Sequence, residues 1–214
     1  MKTIGIIGGL SPESTVLYYT NIIREYRGMR GDENYPKIII YSVCFGEFTR
    51  LVEQQRFREA AEILVEAAVS LHSAGADFAL ISANTPHMFF EEVKSRSPIP
   101  LISIIDALAE ELKRNGVRRV GLLGTKHTLT HPFYADGLRK NNIEAIIPDP
   151  GDVELVNKII YDELVKGVVR DESRELVVGI IRKLVRRGAE GIALACTELP
   201  LLITGEVEGV KLYD

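Results

Sequence analysis

Cys196-Thr197-Glu198 follows the apolar run Ile192-Ala193-Leu194-Ala195 and precedes an expected helix start. A buried strand ending there delivers a thiol to the mouth of a site. Amide donors and the dipole of a helix start favour a thiolate, so an acid/base or nucleophilic role is expected of Cys196. The same pattern occurs earlier without the thiol. Gly75-Ala76-Asp77-Phe78-Ala79-Leu80-Ile81-Ser82-Ala83-Asn84-Thr85-Pro86-His87 aligns without a gap on Gly188-Ala189-Glu190-Gly191-Ile192-Ala193-Leu194-Ala195-Cys196-Thr197-Glu198-Leu199-Pro200, which sets Ala83 against Cys196. The other residues directly after apolar runs are Gly8, Gly9 and Ser11; Cys44 and Arg50; Asn84 and Thr85; and Gly124, Thr125 and Thr128. Amides, hydroxyls and one arginine suit a small carboxylate.

Three further features carry less. Gly5-Ile6-Ile7-Gly8-Gly9 invites a nucleotide-binding reading, but it matches neither GxGxxG nor GxxxxGK[ST], and a tight turn open to a small ligand explains it as well. His127 and His131 are spaced for one helical face without a third ligand, so no metal is expected. Cys44 ends a strand with nothing around it that suggests activation, and His87 either lines the site or caps local structure.

These residues need strands and helices to hold them. Ser11-Pro12-Glu13 carries a cap, a first-turn proline and an early carboxylate, which opens a helix after the first strand. Apolar runs at 38–43, 78–82, 101–105, 120–123, 143–147 and 192–195 alternate with helical patterns, notably Ala60 to Leu71 before Gly75 and Leu176 to Val185 before Gly188. Alternation of that kind predicts a parallel sheet covered on both faces. The duplication includes Thr3-Ile4-Gly5-Ile6-Ile7-Gly8-Gly9 against Arg119-Val120-Gly121-Leu122-Leu123-Gly124-Thr125, which divides the chain into halves at 1–100 and 101–214. A third pairing sets 100–106 against 210–214. Asp106 is expected to cap a helix to about Asn115. The last strand, near 209–213, is free to pack with the first half, and a closing helix is expected to be missing after it.

Composition narrows the function classes. The chain has 214 residues, 46% hydrophobic and 26% charged, with a formal net charge of −4. Scattered Lys and Arg leave no footprint for nucleic acid, and the run Arg182-Lys183 with Arg186-Arg187 reads as the solvated end of a helix. No apolar run approaches the ~20 residues needed to span a bilayer, and because Met1-Lys2-Thr3 leads straight into a strand-like run, no signal sequence is expected. Two cysteines without CxxC spacing imply free thiols in a reducing, cytoplasmic compartment.

Taken together, 3–9, Ala83-Asn84-Thr85, 121–125 and Cys196-Thr197-Glu198 resemble the aspartate/glutamate racemase family across essentially the whole chain. The resemblance implies an α/β protein of two similar doubly wound parallel-sheet domains, related by pseudo-two-fold symmetry with the site between them. It further implies a cofactor-independent isomerase, often a homodimer, acting on a small acidic amino acid or related carboxylate. In the family pattern a Cys-Asn-Thr and a Cys-Thr-Glu motif place thiols on opposite faces of the α-carbon, one removing the proton and the other returning it. Ala83 stands at the first of those positions and Cys196 at the second. By the same resemblance Arg50 and Lys166 hold substrate carboxylates, while Asn84, Thr85, Thr125 and Thr197 supply polar contacts beside Gly9 and Ser11. Ala83 neither gives nor takes a proton, so the expected chemistry is one-sided. A single-cysteine decarboxylase of the arylmalonate type and a non-catalytic binder of acidic amino acids are the competing expectations.

Overall fold

Gly5 and Gly121 sit at equivalent points of the repeat, and packing explains both. A Cβ on Gly5 would lie 3.0 Å from Ala79 Cβ and 3.2 Å from Leu71 Cδ1; one on Gly121 would lie 2.7 Å from Ile192 Cδ1 and 3.0 Å from Leu184 Cδ1. Each glycine lets a helix leucine press onto the first strand of its half. The computed structural model describes residues 1–31 and 34–214. They form two compact units, Met1–Ile104 and Ile105–Asp214.

The first unit runs β1 (Ile4–Gly8), α1 (Pro12–Arg30), β2 (Ile38–Ser42), α2 (Phe45–Glu53), α3 (Phe57–Ser73), β3 (Phe78–Ile81), a 3-10 turn (Thr85–Phe89), α4 (Phe90–Arg96) and β4 (Leu101–Ile102). Its four strands are parallel in the order β2-β1-β3-β4. Ser11 caps α1, accepting from Ser14 N at 3.4 Å, with Pro12 at the first helical position. Along α3, Ala60, Ala61, Leu64, Ala67, Ala68 and Leu71 are buried. Alanines let this helix approach the sheet closely, and each buried leucine contributes about 1.5–3 kcal/mol.

After α5 (Ile104–Arg114), the second unit runs β5 (Arg119–Gly124), α6 (Lys126–Thr130), α7 (Phe133–Lys140), β6 (Glu144–Ile146), α8 (Pro150–Asp162), a 3-10 turn (Leu164–Lys166), α9 (Asp171–Arg186), β7 (Gly191–Ala195), α10 (Leu199–Leu202), β8 (Glu206–Val207) and β9 (Val210–Tyr213). Strand order is β6-β5-β7-β9-β8, parallel except for the β8–β9 pair. The fold is therefore α/β with two parallel-sheet domains.

Two expectations need correction. The last strand joins the second sheet, with Gly191, Ile192 and Ala193 of β7 opposite Lys211, Leu212 and Tyr213, because Val210 and Leu212 bury into that unit's own core. Asp106 lies inside α5 instead of capping it. Its helix begins at Ile104, whose N–H is accepted by the His87 ring at 3.0 Å, and Asp106 accepts from Asn141 Nδ2 at 3.2 Å.

Candidate active site

In the first unit the ends of β1 and β3 are bound together by hydroxyl groups. Thr15 Oγ1 accepts from Gly9 N at 2.8 Å, donates to Ser11 O at 2.9 Å and lies 3.2 Å from Ser82 Oγ. Ser14 Oγ donates to Ser82 O at 2.7 Å. A Cβ on Gly8 would meet Thr15 Cγ2 at 2.5 Å, and Gly9, at φ 83°, would place one 2.4 Å from Val43 O. These glycines accommodate the chain's own backbone and side chains.

The residues after β3 are held just as firmly. Ala83 and Asn84 are buried and Thr85 is half-buried. His87, buried and stacked on Phe90 at 5.3 Å, contacts Ala83 O through Nδ1 at 2.8 Å while its Nε2 accepts from Ile104 N. His87 is thus a structural cross-link at the strand end. Arg50 projects from the last turn of α2 opposite the buried Phe48, Leu51 and Val52; it is exposed, and no ion pair involves its guanidinium among the described residues. Cys44 precedes α2 as an exposed free thiol.

The second unit presents the thiol. Gly124 of β5 pairs with Ala195 of β7, so Thr125 and Cys196 leave adjacent strands at the same level. Thr125 is buried and caps α6 through Thr128 N at 3.3 Å. Cys196 is buried, and its Sγ donates to Glu198 Oε2 at 3.0 Å; Thr197 Oγ1 donates to the same oxygen at 3.0 Å. Burial pushes the Cys196 thiol well up, the Glu198 charge and hydrogen bond add to that, and the backbone N–H groups of Glu198 and Leu199 oppose it. The amide donors expected at this helix start are present, but α10 has only four residues, and burial of the thiol together with the Glu198 carboxylate outweighs them, so the expected bias toward thiolate is reversed. Lys166 closes the 3-10 turn that packs on α10; its side chain is exposed, 3.9 Å from Asp162. Each unit therefore gathers its own share of the residues singled out from sequence. Glu198 was visible there only as part of a motif, because its contact with the thiol depends on the turn after β7.

The family profile described as Asp/Glu/hydantoin racemase matches residues 7–214. The chain belongs to the Asp/Glu/hydantoin racemase family. Among solved structures, a Yersinia pestis protein is 39% identical with a TM-score of 0.94, the match covering 100% of this chain and 94% of that one. An aspartate racemase homologue from Pyrococcus horikoshii OT3 is 41% identical with a TM-score of 0.87, covering 100% and 93%. The broad specificity amino-acid racemase of Bacillus subtilis (strain 168) is 27% identical over 216 residues, 99% of this chain and 92% of that protein.

This racemase-family chain also has a surface groove apart from these strand ends. A groove of about 610 Å³ along α8 and α9, lined by Leu155, Leu176 and Ile180 with charged rims, includes none of the strand-end residues. Two of its cations are paired, Arg182 with Glu208 at 2.6 Å and Lys183 with Asp152 at 2.8 Å. Among the described residues no group of three or more His, Cys, Asp or Glu could hold a metal, and no helix is long and apolar enough to cross a membrane.

Proposed function

We propose that this protein transfers a proton at the α-carbon of a small acidic amino acid without a cofactor, using Cys196 as its acid/base group. The observation that carries the reading is the buried thiol at the end of β7, hydrogen-bonded to Glu198 and faced by two backbone amides. Such a setting can stabilise either protonation state of sulfur, which proton transfer requires. Family membership supports amino-acid substrates, and Arg50, exposed on α2 and in no ion pair among the described residues, supports an anionic one. Ala83, at the equivalent point of the repeat, offers no titratable group, so the chemistry is one-sided.

Decarboxylation is the second reading, and the hydrogen bond from Cys196 to Glu198 favours it. A protonated thiol is suited to quench the planar enediolate left when carbon dioxide departs.

The reading is tested by incubating each enantiomer of aspartate and glutamate in deuterated water and following the α-proton by NMR. The parent should exchange one enantiomer, and Cys196→Ala should lose about a hundredfold to ten-thousandfold of that rate. Undiminished exchange by Cys196→Ala, or none by the parent, would remove the proposal.

A further inference from the structure

Of the 19 residues of α1, only Ser14 and Thr15 are buried, and both carry hydroxyls. Its apolar side chains are exposed or half-buried, whereas a helix laid on a sheet ordinarily buries an apolar stripe. Val16, Tyr19, Thr20 and Ile23 follow the spacing of one helical face. The last three, with Tyr35, Pro36 and Ile38, line a groove of about 430 Å³ beside β2. That strand is the edge of its sheet, paired with β1 on one side only. It reads Ile38-Ile39-Ile40-Tyr41-Ser42, and Ile40 is 42% exposed. The other sheet edges are blunted: β4 and β8 have two residues each, and β6 has three and carries Glu144 in an ion pair with Arg119. A longer, uncharged edge is a template for another strand unless something covers it.

We infer that α1 and β2 form the interface through which two copies of this chain associate. The two β2 edges meet antiparallel about a two-fold axis perpendicular to the sheet, which brings the two α1 helices side by side on one face. Charge on α1 selects a second copy as the occupant. Glu13, Val16, Thr20, Ile23 and Arg27 share one stripe, with the carboxylate and the guanidinium exposed at its two ends. Helices antiparallel about Thr20 set each Glu13 beside Arg27 of the other copy and Val16 beside Ile23. The area agrees. Val16, Tyr19, Tyr35, Ile40 and Tyr41 leave roughly 500 Å² in water, the upper end of what a monomer shows, and the strand edge and charged rim bring it toward the ~800 Å² per partner of a standard interface. The patch lies within the first unit, so the inference is independent of the chemistry at Cys196.

Sedimentation velocity of the parent at about 10–100 μM should give twice the chain mass. Val16→Asp, at a position 63% exposed, and Ile40→Lys, which sets like charges at the centre of the strand pair, should each weaken the dimer at least about tenfold. Both should keep the far-UV circular dichroism of the parent. Glu13→Arg should weaken the dimer about threefold or more, and adding Arg27→Glu should bring the affinity back. A parent that stays monomeric overturns the inference and leaves the face to a different protein. A dimer that either folded variant leaves intact, or a double reversal no stronger than Glu13→Arg alone, overturns it as well. Should Ile40→Lys not fold, Val16→Asp decides.

Discussion

The imidazole of His87 illustrates how a partner far along the chain assigns a residue's role. Because Ile104 N–H donates to Nε2, the ring proton resides on Nδ1, which donates to Ala83 O. Both ring nitrogens are occupied within the first unit, and the side chain is buried against Phe90. His87→Ala should therefore leave a strand-end carbonyl and a helix-start amide without partners and cost about 2–4 kcal/mol in urea unfolding. A loss below about 0.5 kcal/mol, the range of an ordinary surface change, would contradict the cross-link. Sequence left His87 open between site and scaffold because the bond from Ile104 N, 17 positions on, lies beyond the reach of a local rule. It did single out Cys196, since a polar residue directly after a buried run is a local signal. Glu198 stayed inside its motif because the bond it accepts is set by side-chain geometry.

Elements repeat their supports as well as their order. Glu190 ties the starts of β7 and β5: its carboxylate accepts from Arg118 N at 2.6 Å and Arg119 N at 3.0 Å, while its own N–H donates to Arg119 O at 2.8 Å. Asp77, its counterpart, accepts from Thr3 N at 2.6 Å and donates its N–H to Thr3 O at 2.9 Å. The two backbone bonds hold the Glu190 carboxyl below the usual carboxylate range. A folded value below the unfolded one means that the unfolded chain binds the extra proton. The contribution is then present above about pH 4.3, the ordinary Glu value, and lost as pH falls through the lowered folded value. Urea unfolding below pH 5 should thus show a shallower acid loss for Glu190→Gln than for the parent, and identical slopes would contradict the clamp. Strands and principal helices were legible because their apolar periodicity is strong. The start of α5 was not, since the first N–H of the helix is accepted by a ring 17 positions back, and α2, which carries Arg50, lacks a side-chain cap to announce it.

For the whole molecule, two units of like topology carry unlike chemistry at equivalent strand ends. The first presents Ala83 within a rigid hydrogen-bonded segment; the second presents Cys196 with a carboxylate, a hydroxyl and two amides around it. Fold and family were readable from the duplicated motifs, while the assignment of the last strand to the second sheet depended on packing that no motif encodes. In the proposed function one thiol serves the reaction and the methyl of Ala83 withholds the other. The direct measurement is circular dichroism of L- and D-aspartate and L- and D-glutamate over time with the parent, Ala83→Cys and Ala83→Cys/Cys196→Ala. The parent should show no inversion, Ala83→Cys should invert both enantiomers of at least one substrate, and the double variant should invert none. Inversion by the parent at a rate that Ala83→Cys does not raise, or inversion that survives loss of Cys196, would contradict that function.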